Sequence, residues 1–287
     1  FACAIPGIMA SRTISDPRDR LTTIFVAPLM TCSARLPVYA LLIAAFVPAQ
    51  TVWGFLNLQG LVLFGLYMAG IVSALLVSFV LKFFHKDKSQ HMLLMELPSY
   101  RFPDLKNVWI GLLDRGKIFL KRVGGIIFAL SIVLWFLCTF PQPPEGATLP
   151  AIDYSLAGML GHLMQPIFAP LGFNWQICIA LIPAMAAREV VVAALGTVYA
   201  MSAVDEDAMS EGLAALISGG GDLGWSVATG LSLLVWFIYA PHCLATLATV
   251  KRETGSWKTV SIMTVYLFGL AYFMSFLTYQ IASYYLG

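Results

Sequence analysis

Two cysteines follow a proline within long apolar stretches of this 287-residue chain: Cys32 after Pro28, and Cys243 after Pro241. A proline removes a backbone donor and breaks a helix, so each thiol is expected beside unwound backbone carbonyls. Sulfur ligands suit soft or borderline transition metals. A thiol binds metal well only after losing its proton, and Arg35 is predicted to stabilise a Cys32 thiolate. The pattern predicts a metal site, with simple packing of buried cysteines as the alternative.

Two arginines and one glutamate lie deep in apolar stretches, at Arg35, Arg188 and Glu189. An intramembrane carboxylate is a functional candidate by default. Glu189 is therefore predicted to compensate the charge of a bound ion, the alternative being that Arg188 only neutralises it. Arg35 lies between Pro28 and Pro37, which leave carbonyls that lipid cannot satisfy. It is predicted either to line a pathway or to tie down those carbonyls.

The cysteine-containing stretches belong to an internal repeat. An Ile-Pro pair that leads to an arginine occurs at 5–12 and at 182–188, and an Ala-Pro pair that leads to a cysteine occurs at 27–32 and at 240–243. The two copies are predicted to meet the membrane from opposite sides, as in secondary transporters, whose substrate site lies between inverted repeats with broken helices. Further motif residues assigned to the site or pathway are Cys3, Met9, Met30 and Pro183.

The composition indicates an integral membrane protein. Hydrophobic residues make up 59% of the chain, charged residues 11%, and the mean hydropathy is +0.82, whereas soluble domains average about 25% charged residues. This excludes a soluble enzyme and a nucleic-acid binder, and an odd number of five cysteines does not suggest a disulfide framework. We predict an all-α polytopic fold with spans at roughly 21–47, 55–81, 118–140, 226–250 and 259–286.

The basic residues predict the topology. They concentrate in 1–20, 82–122 and 251–258, and none occurs in 48–54, 141–172 or 201–225. By the positive-inside rule the first three segments are cytoplasmic and the other three external. Because both flanks of the broken apolar segment 173–200 are then external, we predict a re-entrant hairpin there. A single kinked span is the alternative.

The cytoplasmic loop carries a motif of its own, Met-Glu-Leu-Pro-Ser-Tyr-Arg at 95–101, followed by an amphipathic stretch that suits an interfacial helix. We predict three parts in the chain: a truncated first repeat at 1–81, this loop at 82–117 and a second repeat at 118–287. The chain opens on Phe1 without Met, and an upstream part is expected.

Several strings resemble the membrane domain of the ferrous iron transport protein B family: Cys-Ser-Ala-Arg-Leu-Pro-Val-Tyr at 32–39, the loop motif at 95–101, Arg-Glu-Val-Val-Val at 188–192 and Ala-Pro-His-Cys at 240–243. The resemblance implies a bacterial inner-membrane Fe(II) importer with two Gate repeats. It also implies an N-terminal GTP-binding domain, absent from this chain, which would bind GTP and Mg. The family's motif residues map onto Cys3, Cys32, Cys243, Arg188 and Glu189. We expect Glu96, Pro98 and Tyr100 of the loop to couple the pathway to that domain.

Two other functions fit a membrane chain of this kind. A nucleoside or organic-solute carrier would need a polar pocket, but the only asparagines are Asn57, Asn107 and Asn174. A non-transporting anchor would leave Arg35 and Glu189 unexplained. We therefore predict a permease domain rather than an enzyme, with Fe(II), membrane lipid, the GTP-binding domain and further copies of the chain as candidate partners, and no nucleic acid.

Overall fold

The computed structural model is built mainly of α-helices. It describes residues 3–47, 50–52, 56–84, 104–141, 154–185, 188, 191–192, 194–196, 198, 225–241 and 243–286. A two-residue antiparallel ladder, Thr51–Val52 with Leu56–Asn57, joins α3 to α4. The helices are α1 Ala4–Ala10, α2 Pro17–Val26, α3 Leu36–Phe46, α4 Leu58–Phe84, α5 Leu105–Thr139, α6 Leu156–Phe168, α7 Trp175–Ala184, α8 Val227–Tyr239, α9 Leu244–Thr254 and α10 Trp257–Leu286. The predicted all-α fold is confirmed.

The first predicted span consists of two helices in series, α2 and α3. Asp16 caps α2 by accepting a hydrogen bond from a first-turn backbone N–H at 2.8 Å, and Pro17 occupies the first helical position. Pro28 then lies in a 3₁₀ turn, and the backbone becomes extended at Cys32 before α3 begins. The Pro-broken helix predicted for this span is confirmed, with the break at 27–35.

A second broken helix is formed by α8 and α9. Ser226 caps α8 by accepting a backbone hydrogen bond at 3.1 Å. The backbone is extended at Ala240, Pro241 follows, and α9 restarts after Cys243. Gly255 ends α9 with a φ of +68°, a conformation that glycine adopts without steric cost. Both copies of the Ala-Pro motif thus interrupt a helix just before a cysteine.

Helices α6 and α7 form a hairpin bent by 100°. The turn between them uses Gly172, whose φ is +78°. A second interruption follows Pro183, because α7 ends at Ala184 and the described residues are helical again from Val191. The predicted break in the middle of 173–200 is therefore present. Whether this segment is re-entrant or a single kinked span stays a prediction.

Helix α5 merges two elements that the sequence analysis had separated. It runs without interruption for 35 residues, across the predicted boundary between 117 and 118. Asp104 caps its start by accepting a hydrogen bond from the Lys106 backbone N–H at 3.1 Å, and no proline interrupts the helix afterwards. A helix of this length extends roughly 52 Å, well beyond an apolar bilayer core of about 30 Å. The amphipathic stretch is thus the first part of α5.

The core of the bundle lies between α8 and α10. Ser232 and Ser275 fasten these helices to each other: each hydroxyl donates to the other residue's carbonyl, at 3.2 and 3.0 Å. Trp236 packs edge-on against Phe168 and Phe173, with ring centroids 5.5 and 5.9 Å apart. These contacts attach the bent α6–α7 hairpin to the pair α8–α10.

Among the described residues, three segments are long and apolar enough to cross a membrane: Pro17–Phe46, Leu58–Phe83 and Trp257–Tyr285. The α6–α7 pair is a fourth if it counts as one bent span. Helix α4 presents large apolar side chains outward, including Phe64, Leu75, Phe79 and Phe83, which are 61–70% exposed. Such a surface suits contact with lipid.

Ion pairs connect residues of the three basic segments at one end of the bundle. Arg12 and Arg20 both contact Glu253 at the end of α9, and Lys82 at the end of α4 lies 3.5 Å from Asp19. Residues from 1–20, 82–122 and 251–258 therefore share one end. This agrees with the predicted topology, in which all three segments are cytoplasmic.

Glu253 is predicted to stabilise the protein in a pH-dependent way. Its side chain is only 1% exposed. Hydrogen bonds from Arg12, helped by the charges of Arg12, Arg20 and Arg252, outweigh burial and hold the pKa of Glu253 below its ordinary value of 4.5. A lowered folded-state pKa gives stability that is present above the ordinary value and lost as pH falls through the folded-state value. Glu253→Gln should therefore lower the thermal unfolding midpoint at pH 7, and the difference from wild type should shrink under acid conditions.

The control for this prediction is Asp19→Asn. The Asp19–Lys82 pair is about half exposed on both sides, and exposed pairs contribute little to stability. Unfolding midpoints measured from pH 7 down to pH 3.5 should separate the two variants. A Glu253→Gln midpoint equal to wild type at pH 7 would contradict the stabilising role of this cluster.

Candidate ion pathway

The two helix breaks meet at one side chain, Arg188. Its Nη1 donates a hydrogen bond to Cys32 Sγ at 3.5 Å, and its Nη2 donates to the Ala240 carbonyl at 3.2 Å. Arg188 itself is only 6% exposed. The guanidinium therefore connects the break between α2 and α3 to the break between α8 and α9. Prolines within the two apolar stretches predict that each helix is interrupted, and the fold brings the interruptions together.

Arg35 satisfies a carbonyl that the first break leaves free. Its side chain is fully buried, and its Nη2 donates to the Pro28 carbonyl at 3.2 Å. Its backbone N–H donates to the Cys32 carbonyl at 3.1 Å. Two roles were predicted for Arg35, and this contact agrees with the second: Arg35 binds a carbonyl that the helix break leaves free. The hydrogen bond to the Cys32 sulfur comes from Arg188. Arg35 turns towards Pro28 but remains close enough to Cys32 for their charges to interact, so its predicted stabilisation of a Cys32 thiolate stays a prediction.

The second break is built in a similar way. Cys243 caps α9 from an extended backbone, and its carbonyl accepts hydrogen bonds from Thr246 and Leu247 at 3.1 and 3.3 Å. The Cys243 N–H donates to the Pro241 carbonyl at 2.9 Å. The Ala240 carbonyl is the acceptor that Arg188 uses. Each break thus presents a half-buried thiol next to irregular backbone, as expected where a helix lines a cavity.

The cysteines differ in their surroundings. Cys32 and Cys243 are partly buried, Cys3 is exposed at the start of α1, and Cys178 is fully buried in α7. No three His, Cys, Asp or Glu side chains within the described ranges form a group that could hold a metal ion. The three candidate cysteines are therefore not a complete ligand set in this conformation. Glu189 lies outside the described residues, so the four-residue set stays a prediction.

The other candidate residues fall into two groups. Pro28, Pro183 and Pro241 are buried, Pro37 is exposed, and Met9 and Met30 are each 37% exposed. The prolines occur at or next to helix interruptions, so their predicted structural role agrees with the backbone. The loop residues Glu96, Pro98 and Tyr100 lie outside the described part of the chain, and their coupling role stays a prediction.

Three features of the site were not found from the sequence. The only side-chain role considered for Arg188 was the alternative in which it neutralises Glu189. Its bridging of the two breaks was not foreseen, because it joins residues far apart in the chain. Tyr39, fully buried beside Arg35, was not singled out as a polar candidate. Gly70 of α4 packs so closely on the first break that an added Cβ would lie 2.7 Å from Thr31 Oγ1. A glycine within an apolar helix was the available signal for this close approach.

This architecture, two broken helices joined by a buried arginine inside an apolar helical bundle, defines a polytopic helical membrane protein. Two family models match the chain: "Nucleoside recognition" (Gate) over residues 120–257 and "Ferrous iron transport protein B C terminus" over residues 63–115. The chain belongs to the ferrous iron transport protein B family and represents its membrane region. Its location is accordingly the inner membrane, as a multi-pass protein.

Curated relatives support the same family. The chain is 39% identical to the Fe(2+) transporter FeoB of Leptospira interrogans and 35% identical to that of Staphylococcus aureus, with 98% of this chain aligned in each case. It is 36% identical to a fusion of Fe(2+) transport protein A and Fe(2+) transporter FeoB from Porphyromonas gingivalis, again over 98% of this chain. The aligned region spans 41%, 39% and 36% of these relatives, respectively. No solved structure matches the chain.

Proposed function

We propose that this chain forms the membrane permease region through which Fe(II) enters the bacterial cell. The observation that carries the proposal is the meeting of two unwound helix breaks, each with a partly buried thiol, at Arg188. Fe(II) is a borderline cation for which mixed sulfur and oxygen donors are suitable, whereas an all-oxygen site would favour Mg(II). The names of the relatives, Fe(2+) transporters, agree with this substrate.

The proposed ligands are Cys32 and Cys243, with Glu189 as the charge-compensating carboxylate and Cys3 as a further donor. Unwound carbonyls at the two breaks would supply oxygen donors. Since the described cysteines form no three-residue group, the complete site requires Glu189, these carbonyls or a different conformation. This region is proposed to work with an N-terminal GTP-binding domain, which would hold GTP and Mg, within lipid and in a homo-oligomer. Any GTPase activity would belong to that domain.

A nucleoside carrier is less well supported by the described side chains. Asn57 and Asn107 are exposed, and Asn174 uses its side chain to cap α7 by accepting a hydrogen bond from Ile177 at 3.0 Å. No asparagine therefore contributes to an internal polar pocket. The polar groups at the breaks are instead guanidinium, thiol and carbonyl groups.

Removal of both thiols tests the proposal. Cys32→Ser/Cys243→Ser keeps the side-chain size but weakens the soft donors. Fe(II) uptake into proteoliposomes containing the full-length transporter and GTP should fall by about tenfold or more, since loss of even the outer residues that orient metal ligands costs about 10–100-fold. Competition by Mn(II) and Mg(II) should grow relative to Fe(II), because the remaining donors are harder.

The matched control is Cys138→Ser, which removes a thiol from the uninterrupted helix α5 and should leave uptake unchanged. If the double variant is expressed normally and takes up Fe(II) at the wild-type rate, both cysteines serve only in packing and the proposed site is wrong. Labelled uridine supplied to the same vesicles tests the alternative function. Uridine uptake without Fe(II) uptake would contradict the proposal and indicate a nucleoside carrier.

A further inference from the structure

Helix α9 is a short, lightly packed helix with a backbone joint at each end. It follows the extended break at Ala240 and Pro241, and it is followed by Gly255, whose φ is +68°. All eleven of its residues are described, and two of them, Thr246 and Val250, are buried. Residues at the ends of an element serve as hinges when they absorb a change in backbone angles, and an element with few buried contacts opens at low cost. Helix α9 is therefore built to move as a unit.

Two arginines of the first repeat hold the end of α9. Glu253, in its last turn, accepts hydrogen bonds from Arg12 Nε and Nη2 at 2.6 and 2.5 Å, and from Arg20 Nη2 at 3.3 Å. Arg20 Nη2 also donates to the Glu253 backbone carbonyl at 3.1 Å. The Glu253 side chain is 1% exposed, although a carboxylate in the last turn of a helix opposes the helix dipole. The two arginines therefore supply the stabilisation that the helix itself denies to this carboxylate.

A cavity of about 230 Å³ lies beside this ion-pair cluster. Its walls come from α2, from the end of α9 and from the start of α10, and include Arg20, Leu21, Ile24, Glu253, Thr254 and Thr259. Packed protein interiors contain few voids larger than a water molecule. The end of α9 thus borders free space, so the cluster can separate without displacing a packed core.

Helices α1 and α9 pack on each other. Each of them begins directly after a motif cysteine, Cys3 for α1 and Cys243 for α9. Their other ends are joined by the contact between Arg12, which shortly follows α1, and Glu253. The two helices therefore run side by side in the same direction, from the cysteines to the ion-pair cluster at the cytoplasmic end.

We propose that Arg12, Arg20 and Glu253 form a latch that holds α9 against α1 and closes the way from the cytoplasmic end to Cys243. When the latch separates, α9 swings about the joints at its two ends, and Cys243 becomes accessible from that end. The role of this movement in ion release rests on the proposed Fe(II) pathway. The movement itself is measured without iron.

The test uses the full-length protein in inside-out membrane vesicles, where a membrane-impermeant maleimide reaches only the cytoplasmic face. Mass spectrometry of the alkylated peptides gives a labelling rate for each cysteine. Glu253→Gln and Arg12→Gln should each raise the labelling rate of Cys243 by about tenfold or more, the change expected when hydrogen bonds to a charged group are weakened or lost. Arg12→Lys keeps the charge and should stay near the wild-type rate. Cys178, which is fully buried in α7, should stay unlabelled throughout because the bundle itself does not unfold.

Lys82→Gln is the matched control. It removes the 3.5 Å ion pair with Asp19 at the same end of the bundle, but that pair joins α2 to α4 and does not include α9. This variant should label Cys243 at the wild-type rate. The double variant Arg12→Gln/Glu253→Gln should label Cys243 no faster than Glu253→Gln alone, because substitutions of two partners in one interaction are not additive.

Three results would overturn the latch. Cys243 could be labelled at the wild-type rate in Glu253→Gln and Arg12→Gln, which would show that the cluster does not hold α9 in place. Labelling of Cys178 could rise together with that of Cys243, which would show that the cluster stabilises the whole bundle. Lys82→Gln could have the same effect as the latch variants. If the labelling is as expected but the full-length protein takes up no Fe(II), the Fe(II) proposal fails and the movement of α9 stands.

Discussion

Arg188→Lys should abolish most of the transport activity while leaving the protein inserted in the membrane. The arginine contacts Cys32 Sγ and the Ala240 carbonyl with two different nitrogens, at 3.5 and 3.2 Å. A lysine ammonium is a single point donor and cannot reproduce the planar, two-sided contact. One of the two breaks would lose its partner, and a buried acceptor without a hydrogen bond costs about 1–3 kcal/mol. Fe(II) uptake into proteoliposomes should fall by at least about tenfold.

The matched control is Arg12→Lys, at the equivalent position of the first repeat. Arg12 is 52% exposed on its side chain and pairs with Glu253, so a lysine can still form the ion pair there. Uptake by this variant should stay near wild type. Wild-type uptake by Arg188→Lys would show that the bridge between the breaks is not needed for transport.

The contrast between these two arginines shows what the sequence could predict. Prolines within apolar stretches predict helix breaks, because a missing backbone N–H interrupts a helix regardless of how the rest of the chain folds. The breaks at 27–35 and 240–243 were predicted for this reason. Whether an arginine after such a motif lies at the surface or inside depends on the packing of distant helices. The repeat relates Arg12 to Arg188, yet one pairs at the surface and the other joins the breaks.

Roles that depend on side-chain direction were harder to predict. Adjacency in sequence favoured Arg35 as the neighbour of the Cys32 thiol. The residues between them form a 3₁₀ turn that carries the Arg35 side chain back to Pro28, so the hydrogen bond to the sulfur comes from Arg188 and Arg35 acts on Cys32 only through its charge. Similarly, the amphipathic pattern after the cytoplasmic motif correctly indicated a helix. The pattern did not indicate that this helix continues into the next span. Without a proline or glycine breaker, the local sequence does not show where one helix ends and another begins.

Close helix approach is the basis of the second large effect, expected for Gly70→Ala. An added Cβ would lie 2.7 Å from Thr31 Oγ1 and 3.4 Å from the Leu29 carbonyl oxygen. Thr31 and Leu29 are 1% and 0% exposed, so neither can move out into solvent. The first break would have to shift away from α4, and overpacking of this kind costs about 1–3 kcal/mol. The unfolding midpoint and the Fe(II) uptake should both fall.

Gly65→Ala on the same helix is the control, because an added Cβ there meets nothing within 4 Å. Since alanine is the better helix former by about 1 kcal/mol, this variant should be as stable as wild type or more stable. The double variant Gly70→Ala/Thr31→Ala should recover much of the lost stability. The Thr31 hydroxyl has no hydrogen-bond partner, so its removal relieves the contact without breaking a bond. If Gly70→Ala unfolds at the wild-type midpoint, or if Thr31→Ala gives no rescue, the packing of the break on α4 does not limit the fold.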